Sequence, residues 1–469
     1  MTREVEEEVL EKIRPSREER ERVWEAYLNI KNVLESVLIE SSVEAEVTLQ
    51  GSFAKDTWIS GERDLDVFVL FPSSWSIDEL KTKGFTLILE AAKRIGRYSV
   101  NYAEHPYVVI RVGEVEADVV PAYRLHDPSE VRTAVDRTVF HTNYINSVLK
   151  PHQRDEVRLL KKFMKTIGVY GAEVKVRGFS GYLCELLVLT YGSFRGVLEE
   201  ARNWRPQVIV NTLGLTSEEL EERLVILRRK YRNSVMIAPD PVDWRRNAAA
   251  SVSLKSLSTF SLAAQCYLKK PSISFFFKER LETPFNELVK AAEGRCLLFI
   301  VFNLGKTLPS EVLWGEIHRI RDRLCKLVEN FEFKVIHSDA WSDEGSIAVI
   351  GIETAECKLS KYRFSFGPRY TSIERVENFI RKHLDAASGP WISSSGRLLA
   401  LSERKYEALK DLLESRAGEY VVAPDFKVLK PVISEIAELE PIYSSVEGFR
   451  EWLAEFVLRK YAWMTSCTQ

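Results

Sequence analysis

The 469-residue chain is 45% hydrophobic and 29% charged, so it can build packed cores, is not intrinsically disordered, and is long enough for about three domains. Its 66 lysines and arginines against 68 aspartates and glutamates leave a formal charge of -2. That excludes a uniformly basic, histone-like binder, though not clustered basic surfaces.

The start, Met1-Thr-Arg-Glu-Val-Glu-Glu-Glu, is acidic and lacks the apolar core of a signal peptide. Ser16 and Glu19, after Pro15, read as a capping box. Behind them Val23, Tyr27, Ile30, Leu34 and Val37 step at helical spacing to about Ile39. The period then becomes two: Val43, Ala45, Val47 and Leu49 predict a half-buried strand ending at Gly51. A second strand is expected from Asp64 to Phe71, with Leu65, Val67, Val69 and Phe71 on one face and Asp64 and Asp66 opening the other. A helix near Ile77 to Tyr98 follows. Gly113-Glu114 then suits a tight hairpin between strands Tyr107–Val112 and Val115–Val120.

Next come a helix from Gln153 to Ile167, with Val157, Leu160, Met164 and Ile167 inward and its lysines outward, and an all-round apolar helix near Phe179 to Tyr191. That last run is too short for a membrane span and carries Glu185, so no membrane association is expected. Mostly helical sequence continues to about Lys270. Beyond Pro271, strands (Cys296–Asn303, Phe333–His337, Ser346–Ile352) alternate with helices (Ser310–Phe331, Ser372–His383). Six cysteines stand about thirty or more residues apart without a Cys-x-x-Cys pair, so reduced core thiols are expected, not a zinc site or a disulfide framework. The chain reads as soluble and cytoplasmic. The expected class is α+β, in three zones: 1–145, 146–275 and 276–469.

The chemistry concentrates between the first two strands. Residues two apart on a strand share a side, so Asp64 and Asp66 put two carboxylates on one face. Unpaired they repel, and a hard divalent cation relieves that repulsion by taking oxygen ligands. Acid-x-acid triplets are common in so acidic a chain, and the bland reading is a solvated pair. The Gly51-Ser52 turn, able to offer N–H groups and a hydroxyl to phosphate, makes the combination informative. Asp118 is a third carboxylate, set in an apolar strand where an unpartnered charge is costly. Glu116 shares its face and is the alternative acid. Three carboxylates on neighbouring strands suit two Mg²⁺ ions, one activating a 3′-hydroxyl and one steadying a leaving pyrophosphate, which is nucleotidyl transfer. There is no Walker Gly-x-x-x-x-Gly-Lys-Ser/Thr loop and no evident Ser-His-Asp triad or catalytic cysteine.

Gly51-Ser52, Asp64-x-Asp66 and Asp118 together resemble the nucleotidyltransferase superfamily that contains DNA polymerase β. Longer blocks resemble the archaeal (class I) CCA-adding enzymes, the tRNA nucleotidyltransferases. These blocks are Tyr102 to Tyr107, Asp118 to Tyr123, Ala134 to His141, Glu156 to Lys162, Tyr170 to Leu187 and Asp240 to Ala249. The likeness is dense from about residue 45 to 280, with Gly367-Pro368-Arg369 and Gly396-Arg397 fitting the family's tail.

The resemblance implies a polymerase-β-like head, a helical neck, and an α/β body and tail that grip RNA. It implies CTP and ATP as substrates, the tRNA 3′ end as partner, Mg²⁺ as cofactor, and a homodimer. Asp64, Asp66 and Asp118 would be catalytic and hold the metal. Ser52, Lys55, His141, Lys161, Tyr170 and Arg246 would bind the nucleotide, Arg246 presenting its edge to the base. The family often has arginine where this chain has Lys55, which carries charge without the bidentate fork.

Each residue also has a plainer reading. His141 is placed to cap a helix beginning near Thr142. Lys161 lies on a basic face beside Lys162, Tyr170-Gly171 suits a packed turn, and Arg246, next to Arg245, could pair with Asp243. Arg228-Arg229-Lys230-Tyr231-Arg232, the densest basic run, is a candidate RNA-backbone contact. The rival functions are a poly(A) polymerase or oligoadenylate synthase, and an inactive RNA-binding module of the same fold.

Overall fold

The structure is a computed structural model that describes residues 2–102, 106–278, 283–305, 307–421, 431–465 and 467. Ala103 to His105, inside the block Tyr102 to Tyr107, lie outside the described residues. The described residues form two compact units, Met1–Arg280 with Tyr461–Gln469, and Leu281–Lys460.

The first unit opens with helices α1 (Thr2–Ile13) and α2 (Arg17–Glu40). The acidic start is therefore a helix, whose Val9 and Ile13 are buried in the helical core. Ser16 caps α2 in a full capping box with Glu19. Strand β1 (Glu46–Gln50) leads through a one-turn helix α3 (Gly51–Ala54) to β2 (Asp64–Pro72). Helix α4 (Phe85–Ile95) then precedes β3 (Tyr98–Tyr102), β4 (Pro106–Val112) and β5 (Val115–Arg124). The five strands run in the order β1-β2-β5-β4-β3. β2 and β5 are parallel and the other pairs antiparallel.

The helix expected to reach Tyr98 stops at Ile95, because Gly96 takes φ 106° and turns the chain into the unexpected strand β3. On β2, Leu65, Val67, Val69 and Phe71 are fully buried and pack among the apolar residues of α2 and α4. The opposite face divides. Phe68 and Leu70 pack with Ala122 and with Val135 and Val139 of α5 (Ala134–Val148), while Asp64 and Asp66 lie ahead of that apolar patch. A helix thus covers one end of the sheet face and leaves its carboxylate end polar.

Helices α6 (Pro151–Thr166), α7 (Gly181–Tyr191), α8 (Phe194–Ala201), α9 (Ser217–Lys230) and α10 (Leu254–Lys269) complete the unit. Their core is aromatic: Phe163, Phe194, Phe260, Tyr267, Phe275 and Phe276 are all fully buried. In the second unit, β6 (Cys296–Asn303), α11 (Ser310–Asn330), β7 (Val335–Ser342) and β8 (Ile347–Thr354) appear close to where the sequence puts them. β7 is longer than expected, since pairing with β8 carries it through Ser338 and Asp339, where alternation fails. A three-stranded sheet of β9 (Tyr362–Arg369), β10 (Ser388–Ile392) and β11 (Arg397–Glu403) follows.

The cysteine expectation is corrected. Cys266 is disulfide-bonded to Cys467 and Cys296 to Cys357, with Cα atoms 4.7 and 5.0 Å apart. Separations of 201 and 61 residues hid the pairings, the first because the chain returns to the first unit only at Tyr461. Cys184 and Cys325 are free thiols. No helix among the described residues is long and apolar enough to cross a membrane.

Candidate active site

Parallel pairing of β2 and β5 sets Asp66 beside Asp118 and Asp64 beside Glu116. The hairpin register in turn puts Asp118 opposite Val109. Burial raises the Asp118 carboxyl to about 6, reinforced by the charges of Asp66, Asp64 and Glu116. Asp66 and Asp64 are raised by burial too, Asp64 further by Glu116. Glu116, the alternative acid, is ion-paired with Arg111 at 2.6 Å. Among the described residues no three His, Cys, Asp or Glu side chains converge as a ready metal cage. The donor chemistry nevertheless fits a hard cation: on adjacent strands Asp64 raises the proton affinity of Asp66, and both raise that of Asp118, a repulsion that a divalent ion relieves.

Ser52 stands in the first turn of α3, where its carbonyl accepts the Thr57 N–H at 2.9 Å. Gly51 before it has φ 67°, and a Cβ there would meet the Asp66 Oδ2 at 1.8 Å, so the turn and the carboxylate are packed in contact. Lys55 follows, almost fully buried, and its Nζ donates to Glu185 Oε2 at 2.6 Å.

Lys161 differs from the outward lysines expected on its helix face. It is 1% exposed, donates to the Thr57 carbonyl and hydroxyl at 3.0 and 3.1 Å, and stands 3.9 Å from Glu185. Lys162 instead lies over the Phe277 ring. Burial raises Glu185, but the charges of Lys55 and Lys161 and hydrogen bonds from Lys55 and Thr57 more than offset it and keep the carboxylate ionised. Burial pulls the Lys161 ammonium below its ordinary value while the Glu185 charge pulls it back up, so one carboxylate is shared between two buried lysines. Tyr170 joins it: a Cβ on Gly181 would touch its hydroxyl at 2.9 Å and the Lys161 Nζ at 3.6 Å. The packed-turn reading of Tyr170 also holds, since it bridges Phe179.

His141 does not cap a helix. It lies inside α5, whose N-cap is Thr133. Its ring stacks on Tyr182 at 3.8 Å, and its Nε2 hydrogen-bonds Asp240 Oδ2 at 2.8 Å. Burial pushes the imidazole below its ordinary value against the pull of Asp240. Lys55 Nζ sits 6.0 Å from the Tyr182 ring, which links the two clusters.

Arg246 pairs with Asp240 at 2.9 Å, not with Asp243, whose carbonyl accepts only the Arg246 backbone N–H. Arg245 is exposed and stacks on Trp244. The basic run lies against this loop, with Lys230 Nζ and Tyr231 OH both donating to the Arg245 carbonyl. Lys55, His141, Lys161, Tyr170 and Arg246 are thus gathered around two buried carboxylates, Glu185 and Asp240. Neither was singled out as functional from sequence. Glu185 did carry a signal, a charge within an apolar helix that had to be partnered; Asp240 carried none beyond its place in a quoted block.

Three family models match the chain: "Nucleotidyltransferase domain" over residues 30–141, "tRNA nucleotidyltransferase, second domain" over 155–277, and "CCA-adding enzyme, C-terminal domain" over 293–425. Among curated relatives, the "CCA-adding enzyme" of Sulfurisphaera tokodaii is 39% identical over 403 residues, 86% of this chain and 89% of that protein. Its counterpart in Saccharolobus solfataricus is 39% identical over 86% of this chain and 90% of its own length. That of Sulfolobus acidocaldarius is 36% identical over 87% and 90%. Likeness of this depth along most of both sequences, on a sheet that sets Asp66 beside Asp118, means that the chain belongs to the CCA-adding enzyme family of tRNA nucleotidyltransferases.

Proposed function

We propose that the protein builds and repairs the 3′-terminal C, C and A of tRNA from CTP and ATP, releasing pyrophosphate. The observation that carries the reading is the parallel register of Asp66 and Asp118, set against a Gly51–Ala54 turn backed by two buried lysines. Asp64, Asp66 and Asp118 are the candidate ligands for Mg²⁺. When bound there, divalent cations supply the charge that acidifies the tRNA 3′-hydroxyl and steadies the departing pyrophosphate.

The chain's own residues do the rest. Ser52, Lys55, Lys161, Tyr170 and His141 hold the nucleotide's triphosphate and sugar, and Arg246 offers donors to the base. With no template strand, these side chains together with the tRNA backbone select C or A. Residues 1–145 serve as the catalytic head, 146–275 as the neck, and 276–469 as the body and tail that bind tRNA. The arginines and lysines near Trp244 are candidate phosphate contacts. The family resemblance further implies a homodimer, which sedimentation would reveal.

The deciding experiment incubates the protein and Mg²⁺ with tRNA lacking its 3′ CCA, giving CTP and ATP separately and together, and sequences the products. Addition of two cytidines with CTP and of CCA with both is the expected result. A long adenosine tail would point to a poly(A) polymerase or oligoadenylate-type transferase, and no extension to an idle RNA-binding fold.

A further inference from the structure

We propose that Asp240 is a positioning residue for base selection: its carboxylate locks His141, Tyr182 and Arg246 into one unit, and through Arg246 it sets which bases are accepted. This rests on the reading of Arg246 as the base-contacting residue.

Asp240 is fully buried and uses both oxygens twice. Oδ2 meets His141 Nε2 at 2.8 Å and Arg246 Nη1 at 2.9 Å. Oδ1 accepts the Tyr182 hydroxyl at 2.8 Å and the Val242 N–H at 3.0 Å. A carboxylate has about four acceptor sites, so none is left for substrate. Asp240 therefore acts through its neighbours.

Those neighbours come from three elements: His141 from α5, Tyr182 from α7, and Arg246 from the loop after Pro239. That loop is itself closed. The Asp240 N–H donates to the Arg246 carbonyl at 3.0 Å. Asn247, 2% exposed, holds its ends by accepting from the Ala238 N–H and donating to the Met236 carbonyl. The position of the Arg246 backbone is thus fixed before any side-chain contact is counted.

The side chain is then fixed at one end only. Arg246 keeps 37% of its side-chain surface exposed, so donors other than Nη1 remain accessible. A guanidinium pinned at one nitrogen presents the others in a fixed direction, which favours bases whose acceptors lie along it. A guanidinium released from that anchor can turn to suit any base edge, and discrimination falls. Burying the Asp240 charge is costly and is offset by its donors, Arg246 bringing a full positive charge. With His141 neutral, its proton sits on Nε2, donated to Asp240, and its lone pair on Nδ1.

The test uses the full chain with tRNA lacking its CCA and all four nucleotides in competition. Asp240→Asn keeps the shape but removes the charge that pairs with Arg246 and turns an NH₂ toward two donors whichever oxygen it replaces, which loosens the cluster that holds Arg246. Its ratio of kcat/KM for CTP over UTP should fall about tenfold or more, with KM for CTP rising more than kcat falls. Arg246→Ala should lose a comparable ratio, and the double variant should discriminate no worse than Arg246→Ala alone, because the two act as one unit. If Asp240→Asn melts below assay temperature, Tyr182→Phe carries the test: it removes one donor, keeps the stacking ring, and should also lower the ratio. Unchanged discrimination in Asp240→Asn or Tyr182→Phe while Arg246→Ala relaxes it, or strictly additive losses, would overturn the proposal. Parental discrimination in Arg246→Ala would instead overturn the base-contact reading, and with it the route through Arg246.

Discussion

Asp118 carries its charge where the fold disfavours it. Burial and the neighbouring acids lift its carboxyl from an ordinary 3.8 to about 6. A group that holds its proton more tightly when folded contributes its full stability below the unfolded value. That contribution is lost as pH rises from about 4 to about 6 and is gone above it. The metal-free protein should therefore be less stable at pH 7 than at pH 5 by on the order of 1 kcal/mol from this residue, and added Mg²⁺ should recover the difference. Asp118→Asn should abolish nucleotide incorporation while leaving the melting temperature at pH 7 equal or higher. Near-normal turnover in that variant would refute the metal role. Glu185 is the opposite case, an anion the fold requires. Glu185→Gln leaves Lys55 and Lys161 buried without their counter-charge, and urea denaturation should show a loss of about 3 kcal/mol or more. A loss below about 1 kcal/mol would mean that Asp66 already balances the two lysines.

The turn from β1 into α3 joins the nucleotide and metal sides of the site within a few residues. Gly51 is required twice, by its positive φ and by the Asp66 oxygen where a Cβ would stand. Gly51→Ala should displace Asp66 and cut incorporation about a hundredfold, with a stability loss of about 1 kcal/mol or more. Primer-extension rates beside a melting curve would check both, and unimpaired extension would show that the carboxylate tolerates the move. This element was legible in the sequence, because a period of two assigns faces without further knowledge and a Gly-Ser turn between two strands marks their junction. Strand β3 was not legible: Tyr98 to Asn101 is largely exposed at a sheet edge, and the strand owes its form to pairing with β4. Helix periodicity likewise could not separate Lys161 from Lys162. What separates them is Thr57 and Glu185, which lie distant in sequence. The Asp240 cluster, drawn from residues 141, 182, 240 and 246, exists only once the chain has folded.

At the scale of the whole molecule, a formal charge of -2 looks ill-suited to a polyanion, yet the basic residues cluster. Arg223, Arg228, Arg229, Lys230, Arg232 and Arg245 fall on or beside α9 and the Trp244 loop. Affinity for tRNA should accordingly fall with salt at a log–log slope of about -3 or steeper, that is, three or more phosphate contacts. A flat plot in filter binding would argue against a nucleic-acid substrate. Of the expected zones, the change from helical back to mixed patterning near residue 275 falls close to the boundary between the two units, whereas the expected boundary at 145 lies inside the first unit and the return of the last residues to that unit was not legible. That return has a topological outcome. Cys266 lies before the chain leaves the first unit and Cys467 after it returns, so their bond makes residues 266–467 a covalent ring that contains the entire second unit. A protease that cuts once anywhere inside this ring opens it without releasing a fragment, and the nicked protein keeps its full mass until a reductant is added.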